Sequence, residues 1–266
     1  LDDVRIYNRG LSGGEVAALY YNCSPVQEIP LSECRALKSV YGSADGTNWT
    51  SHGEWLENAT PCTWDGVVCS NGHVSALNLP QNMLNGPLAP ELGNLPELVV
   101  ANLANNQLSG QVPDTLGNLT KLATLQLGNN KLNGFLPSQL TNLTGLTTLD
   151  IGYNSLTAVD PALQGFLDSR QPGWANTQTI APTNLQATVR TGTSVGLTWD
   201  PIAYAADGGY YLVYSTTQNS GIYTQIGTTS DKSAGGFVVN GLTPGQTYSF
   251  VVRTFTPKHG LQQNDL

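Results

Sequence analysis

The segment Leu116–Pro137 reads LGNLTKLATLQLGNNKLNGFLP, and nearly the same spacing recurs 24 residues before it and 24 residues after it. Four such units begin at residues 74, 98, 122 and 146, and the last departs from the pattern after Leu156. A fixed period of this length is typical of repeat architectures, in which each unit buries its apolar face only against its neighbours. The sequence therefore predicts four stacked coils over residues 74–166.

Each unit contains a short stretch in which leucines alternate with other residues, in the pattern LxxLxL. Successive side chains of a strand point to opposite faces, so we expect the leucines to point inward and the intervening residues outward. Stacking the four stretches predicts a parallel sheet with strands about 4.8 Å apart. The outward positions form three columns: Ala76, Val100, Thr124 and Thr148; Asn78, Asn102, Gln126 and Asp150; and Gln81, Asn105, Asn129 and Tyr153.

An asparagine recurs where each predicted strand turns away, at Asn82, Asn106, Asn130 and Asn154. A side-chain amide can donate to and accept from the backbone of neighbouring coils. Each of these amides would cost about 1–3 kcal/mol if it were buried without partners. We therefore interpret the four residues, called the asparagine ladder below, as structural.

The repeat resembles the leucine-rich repeat form LxxLxLxxNxLxGxIPxxLGNL, best known from plant receptor and inhibitor ectodomains. Gly86, Gly110 and Gly134 match the glycine of that form, and Pro113 and Pro137 match its proline. The first unit departs by placing proline one residue after the glycine, and the fourth lacks the G-x-x-P motif. The preceding WLENATPCTWDGVVC resembles the cap of this family. The resemblance implies a solenoid whose parallel sheet lines a concave face.

The four cysteines, Cys23, Cys34, Cys62 and Cys69, all lie near the beginning of the chain, and none forms a C-x-x-C motif. An even number in one region predicts disulfides and an oxidising, extracellular compartment. A Cys62–Cys69 bond would close a loop of eight residues, which the chain-entropy treatment values at about 2.5 kcal/mol. Cys23 and Cys34 are then expected to pair; in the alternatives, Cys34 joins the cap while Cys23 stays free, or all four are buried thiols.

The chain opens with LDDVRIYNRGLSGGE, which resembles the closing strand and helix of laminin-G-like, concanavalin-type jellyroll domains. Alternation at Val4 and Ile6 predicts the strand, and a Ser12–Glu15 capping box predicts a helix over Gly13–Tyr21. The resemblance implies that a jellyroll domain precedes Leu1 in the parent protein.

Downstream of the repeats, Asp160 before Pro161 predicts the N-cap of a short helix, and Trp174 is expected to cover the last coil. From residue 183 onward, short alternating stretches between glycine-rich turns predict a β-sandwich. VGLTW and GLTPGQTYSFVVRTF in this region resemble a fibronectin type III domain. The resemblance implies a core Trp199 and a tyrosine corner at Tyr248, and an expected absence of the last strand would leave the strand over residues 248–256 with an unpaired edge.

The predicted fold class is mixed and multi-domain, with a leucine-rich repeat solenoid followed by an all-β, immunoglobulin-like sandwich. The predicted divisions are a jellyroll remnant (1–24), an N-terminal cap (25–73), four repeats (74–166), a C-terminal cap and linker (167–182) and a fibronectin type III domain lacking its last strand (183–266).

Composition and motifs limit the chemistry. The net charge of -8 and the scattered basic residues argue against nucleic acid, and no apolar run reaches the roughly 20 residues of a membrane helix. His52, His73 and His259 fall in different segments, and we recognise no catalytic motif, metal-ligand cluster or cofactor-binding loop. The sequence therefore predicts no enzyme activity, no metal and no cofactor in this chain.

The predicted binding surface is the concave face, where polar amides stand beside apolar and aromatic side chains, as is typical of contact surfaces. We expect a secreted or surface-attached recognition or adhesion module, from a bacterium by domain composition, that binds a protein. A polysaccharide ligand and a spacer role, with a catalytic domain elsewhere in the parent protein, are the alternatives. The candidate contact residues are Val100, Asn102, Gln126, Thr148, Asp150 and Tyr153.

Overall fold

A computed structural model describes Cys23, residues 28–217 and residues 221–266. The predicted strand and helix of the jellyroll remnant lie outside these residues. The helices are α1 (Leu31–Ser43), α2 (Pro161–Arg170) and the 3₁₀ segments Gly46–Asn48, Pro61–Thr63, Pro90–Asn94, Asp114–Asn118, Ser138–Asn142 and Trp174–Thr177. The strands of the cap and repeats are β1 (Val67–Ser70), β2 (His73–Asn78), β3 (Asn85–Pro87), β4 (Val100–Asn102), β5 (Gln107–Gly110), β6 (Thr124–Gln126), β7 (Lys131–Phe135), β8 (Thr148–Asp150) and β9 (Ser155–Thr157). Those of the C-terminal part are β10 (Thr183–Thr191), β11 (Ser194–Asp200), β12 (Tyr210–Thr217), β13 (Thr224–Thr228), β14 (Gly236–Val239) and β15 (Tyr248–Phe255).

The N-terminal cap closes the first coil with a helix, two disulfides and packed aromatic rings. Cys23 bonds to Cys34 and Cys62 to Cys69, so none of the four cysteines is free. The rings of Tyr41, Trp49, Trp55 and Trp64 lie against one another with centroids 5.0–5.7 Å apart. Burial of these large rings supplies the apolar area that covers the open end of the repeat core.

One carboxylate anchors the cap helix to the repeat sheet. Glu33 of α1 is 1% exposed, and it accepts hydrogen bonds from the Val74 backbone N–H at 2.8 Å and from His73 Nδ1 at 2.6 Å. A buried carboxylate needs such partners because burial without them is costly. The bonds fix α1 against the start of β2.

The repeats form the predicted parallel sheet, in the order β1-β2-β4-β6-β8, with β1 pairing antiparallel to β2. Ala76, Val100, Thr124 and Thr148 are in register across it. The inward leucines, such as Leu77 and Leu98, are fully buried. A second parallel sheet, in the order β3-β5-β7-β9, was not predicted, and it follows the turn that leaves the first sheet.

The asparagine ladder joins successive coils through the backbone. Asn130 accepts from the Leu108 N–H at 2.9 Å and donates to the Leu103 and Leu127 carbonyl oxygens at 3.1 and 3.0 Å. Asn106 and Asn154 make the same type of contact one coil earlier and one coil later. All three amides are buried and satisfied, which agrees with the structural role proposed from the sequence.

Both ends of the ladder depart from this pattern. Asn82 has no preceding coil and exchanges hydrogen bonds with the backbone of Ser51 in the cap. At the other end Gln178 takes the position of the next asparagine, accepting from the Leu156 N–H at 3.0 Å and donating to the Ile151 carbonyl at 2.9 Å. The ladder therefore ends in the cap on one side and in a glutamine on the other.

Helix α2 and Trp174 cover the last coil, as the sequence predicted. The Asp160 carboxylate accepts from the Ala162 N–H at 2.8 Å, and Pro161 is the first residue of the helix. Trp174 is buried with the repeat core.

The C-terminal part is an antiparallel sandwich of two three-stranded sheets, ordered β10-β11-β14 and β13-β12-β15. Trp199 and Tyr211 are central to its core, with ring centroids 5.4 Å apart. The Tyr248 hydroxyl accepts from the Thr243 N–H at 3.1 Å, which is the contact expected of a tyrosine corner. Strand β15 is the last of its sheet, and no described strand pairs with its outer edge.

Candidate ligand-binding face

The first two outward columns form a continuous surface on the side of the sheet opposite the leucine core. We call this surface the concave strip. None of its side chains is fully buried, and Asn78 and Thr148 are exposed. Because the strands are in register, neighbours within a column are about 4.8 Å apart. The strip consists of Ala76, Asn78, Val100, Asn102, Thr124, Gln126, Thr148 and Asp150.

Five of the six predicted contact residues lie in this strip: Val100, Asn102, Gln126, Thr148 and Asp150. Four of them make no side-chain bond, or only a weak one, within the described part of the chain; Asn102, for example, accepts from the Ala104 N–H at 3.3 Å. The side chains therefore remain available to a ligand.

Asp150 is the strip's single charged residue, and the chain itself uses part of it. Its carboxylate accepts from the Gly152 N–H at 3.0 Å and contacts Gln171 Nε2 at 3.5 Å. A Cβ at Gly128 would lie 2.3 Å from the same carboxylate, so the glycine leaves room for it. These contacts hold Asp150 in a fixed position at the edge of the strip.

Tyr153, the sixth predicted contact residue, does not present a free ring. Its ring lies at centroid distances of 6.1 Å from Tyr204 and 5.7 Å from His259, both in the sandwich. The prediction of an exposed aromatic at this point is therefore wrong, because the sandwich packs against the last coil and covers the ring.

The C-terminal segment continues this cover across the third outward column. Asn129 accepts from the Gln263 N–H at 2.7 Å, and Asn264 Nδ2 donates to the Asn106 carbonyl at 2.8 Å. Asn264 is buried by these contacts. No sequence pattern indicated them, since an amide-rich segment looks the same whether it contacts water or another domain. The third column is thus an internal contact, and the sandwich forms a wall beside the concave strip.

A buried charged group lies behind that wall. Lys232 is 1% exposed, its Nζ lies 4.0 Å from the centroid of the Tyr204 ring, and it donates to Thr256 Oγ1 at 3.2 Å. Burial lowers the pKa of Lys232 to about 8, although the charge of Asp207 acts in the opposite direction. Burial also raises the pKa of Tyr204, helped by the hydrogen bond from its hydroxyl to Asp207 at 2.8 Å.

Each histidine has a local contact, and the three do not converge. His52 Nδ1 lies 3.1 Å from the Trp49 carbonyl, His73 bonds to Glu33, and His259 Nε2 lies 2.8 Å from the Tyr204 hydroxyl. In the part of the chain that the structure describes, no group of three His, Cys, Asp or Glu side chains is arranged to hold a metal ion. The same residues include no helix that is long and apolar enough to cross a membrane.

Comparison with known families identifies the two main regions. Residues 96–156 match the leucine rich repeat family, and residues 180–263 match the fibronectin type III domain. These matches and the observed sheets confirm the predicted fold class of a parallel-sheet solenoid followed by an antiparallel sandwich.

Three solved structures with similarity to this chain come from leucine-rich repeat ectodomains or their complexes. The PEPR1–AtPEP1 structure is 32% identical, with 50% of this chain and 19% of that chain covered and a TM-score of 0.44. The ectodomain of the receptor kinase SOBIR1 from Arabidopsis thaliana is 28% identical, with 48% and 70% covered and a TM-score of 0.42. The BIR3–SERK2 complex from the same organism is 27% identical, with 46% and 68% covered and a TM-score of 0.40. The chain thus spans less than two thirds of the first of these proteins, and nothing in the matches indicates the bacterial source predicted above.

Proposed function

We propose that this chain, which joins a leucine-rich repeat region to a fibronectin type III domain, is a non-enzymatic extracellular recognition module. It binds a protein segment on the concave strip. The observation that carries the proposal is the strip itself: outward side chains in register on a sheet that buried amides hold rigidly. Binding sites on rigid elements need little ordering when the ligand arrives.

The size of the strip favours a short extended segment over a folded surface. Four strands at about 4.8 Å spacing extend about 14 Å, and two outward positions along a strand extend about 7 Å. A standard protein–protein interface buries about 800 Å² on each partner, which is several times this area. A peptide segment lying across the strands, beside the wall formed by the sandwich, matches the strip better. We expect modest affinity.

The disulfides support an extracellular location. All four cysteines are paired, and cytosolic thiols are normally kept reduced. The Cys62–Cys69 bond also closes the cap beside the first coil, so reduction would loosen the end of the sheet that carries the strip.

Protein is favoured over polysaccharide because the strip has no available aromatic ring. Sugar-binding faces commonly use exposed rings as stacking platforms, and Tyr153 packs instead against Tyr204 and His259. The strip that remains consists of aliphatic, hydroxyl, amide and carboxylate side chains. The spacer role has no structural feature in its favour and is the outcome if nothing binds.

The proposal is tested by screening the oxidised chain against arrays of extended peptides and of polysaccharides. A triple variant, Val100→Ala, Asn102→Ala and Gln126→Ala, should weaken peptide binding by about tenfold or more if these side chains include a contact hot spot. A matched control carries Val159→Ala, Asn133→Ala and Gln139→Ala, which change the same residue types at exposed positions outside the strip.

Three results would count against the proposal. Peptide binding that both triple variants lose equally would show a general loss of structure. Peptide binding that neither variant loses would place the site elsewhere, and polysaccharide binding through the strip would replace the ligand class. The absence of any binding would favour the spacer role.

A further inference from the structure

An apolar groove of about 900 Å³ lies away from the concave strip, where the cap helix meets the second parallel sheet. Its walls come from the last turn of α1 on one side and from the turns that follow β3, β5 and β7 on the other. Strand β3 is held against the helix end, since the Asn85 N–H donates to the Ala44 carbonyl at 2.9 Å. The groove is therefore part of the folded scaffold.

The floor and rim of the groove are apolar and rigid. Val112 is buried in the floor, whereas Phe135 is 62% exposed at the rim. Pro87, Pro113 and Pro137 line it as well, and proline has a fixed φ and no backbone N–H to satisfy. An exposed phenylalanine beside a groove of this kind is an apolar surface that nothing in the described chain covers.

The same groove is electronegative. Glu91 and Asp114 line it, and neither carboxylate makes a salt bridge or a hydrogen bond with a described residue. The C-terminal end of α1, which carries partial negative charge, faces the groove through Gly42 and Ser43. No basic residue lies in the last turn of α1, and none lines the groove.

We propose that this groove binds an extended peptide segment that carries apolar or proline residues together with a lysine or arginine. The apolar residues would contact Phe135 and the prolines, and the cation would lie between the helix end and the two carboxylates. Proline-rich segments in the polyproline II conformation dock in this way in apolar grooves because they lose little entropy on binding. The site is on a different face from the concave strip, so the proposal stands independently of the function proposed above.

The length of the groove fits such a segment. Three coils line it, so it extends about 10 Å at the coil spacing of about 4.8 Å. At about 3.1 Å per residue, this corresponds to about three residues in polyproline II conformation. The partner would contribute one short motif rather than a large surface.

The test uses the full oxidised chain and three fluorescent peptides of proline and leucine that differ only in carrying two arginines, two glutamines or two glutamates. We expect saturable binding in the order arginine, glutamine, glutamate, measured by fluorescence anisotropy. Phe135→Ala should weaken binding of the arginine peptide by about tenfold, as for an aromatic contact residue. The double variant Glu91→Gln and Asp114→Asn should remove the preference for arginine, and added salt should do the same.

Matched controls separate the groove from general effects. Val159→Ala removes an exposed apolar side chain elsewhere and should leave binding unchanged, as should the concave-strip triple variant. The proposal is overturned if the three peptides bind equally or not at all, or if Phe135→Ala has no effect. Concentration-dependent self-association that Phe135→Ala abolishes, measured by sedimentation, would also overturn it by making a second copy of the chain the occupant.

Discussion

The repeat region and the sandwich both bury polar side chains, but they satisfy them in different ways. The repeats bury neutral amides that bond to the backbone, and the same arrangement recurs at Asn106, Asn130 and Asn154. The sandwich buries one cation, Lys232, against the ring of Tyr204. A neutral amide does not titrate in the physiological range, whereas a buried ammonium loses its charge when the pH rises. The two regions should therefore differ in how strongly pH affects their stability.

The largest effect is expected for Asn130→Ala in the repeats. The substitution leaves the Leu108 N–H and two backbone carbonyls without their side-chain partner in a buried site. We expect a loss of about 3 kcal/mol in the free energy of unfolding, measured by chemical denaturation and circular dichroism. The control, Asn133→Ala, removes an exposed amide three residues later and should change stability by less than about 0.5 kcal/mol. Similar losses for the two variants would contradict the ladder's role.

Replacing Cys62 and Cys69 by serine should be the next largest change in the same region. Removing the short closed loop restores unfolded-state freedom worth about 2.5 kcal/mol, and the melting temperature of the repeats should fall by several degrees. Calorimetry should show the shift in the repeat transition and little change in that of the sandwich. An unchanged repeat transition would mean that the bond does not stabilise the cap.

The pH dependence of the sandwich tests the other side of the comparison. The pKa of Lys232 is about 8 in the folded chain, and an unfolded lysine has a pKa of about 10.4. Between these values the unfolded state binds more protons, so stability should increase with pH, by about 2 kcal/mol from pH 7 to pH 10. Above about pH 10 the trend should reverse, because an unfolded tyrosine then ionises while the raised pKa of Tyr204 keeps the folded one protonated.

The control for this prediction is Lys232→Met, which keeps an apolar stem of similar length without the charge. Denaturation of this variant should show no increase in stability between pH 7 and pH 10. An increase equal to that of the unaltered chain would mean that another group causes the pH dependence, and the difference between the two regions would have to be explained without Lys232.

The smallest expected effect concerns the junction of the two regions. Tyr153→Ala removes the ring that packs between Tyr204 and His259 and should lower the stability of the sandwich by about 1 kcal/mol, as for a single aromatic contact. Thr148→Ala, an exposed substitution in the same coil, should have no effect. If Tyr153→Ala leaves the sandwich transition unchanged, the two regions fold without supporting each other.

The sequence predicted the features that depend on local spacing. The 24-residue period indicated the parallel sheet and the asparagine ladder, since alternation and a recurring amide follow directly from the positions of residues in each coil. The cap helix and the helix after Asp160 were also predicted, although the structure extends them to Leu31–Ser43 and Pro161–Arg170.

The features that were missed depend on contacts distant in the chain or on residues that disguise a strand. The second sheet passes through Gly86, Gly110 and Gly134, all with positive φ, and glycine normally argues against a strand. Gln178 was missed because it replaces asparagine outside the period. The cover over Tyr153 comes from residues 204 and 259, and no local pattern encodes that domain contact.

The glutamine that ends the ladder also determines how the protein could grow. Gln178 bonds the last coil in place of an asparagine, and Asn82 bonds the cap, so both terminating contacts are independent of the number of coils between them. A gene duplication could therefore add units of 24 residues without altering either end. Because Tyr153, Asn129 and Asn106 together seat the sandwich and its tail, an added unit would be tolerated before the second repeat. An insertion between Asn106 and Tyr153 would pull these three contacts apart.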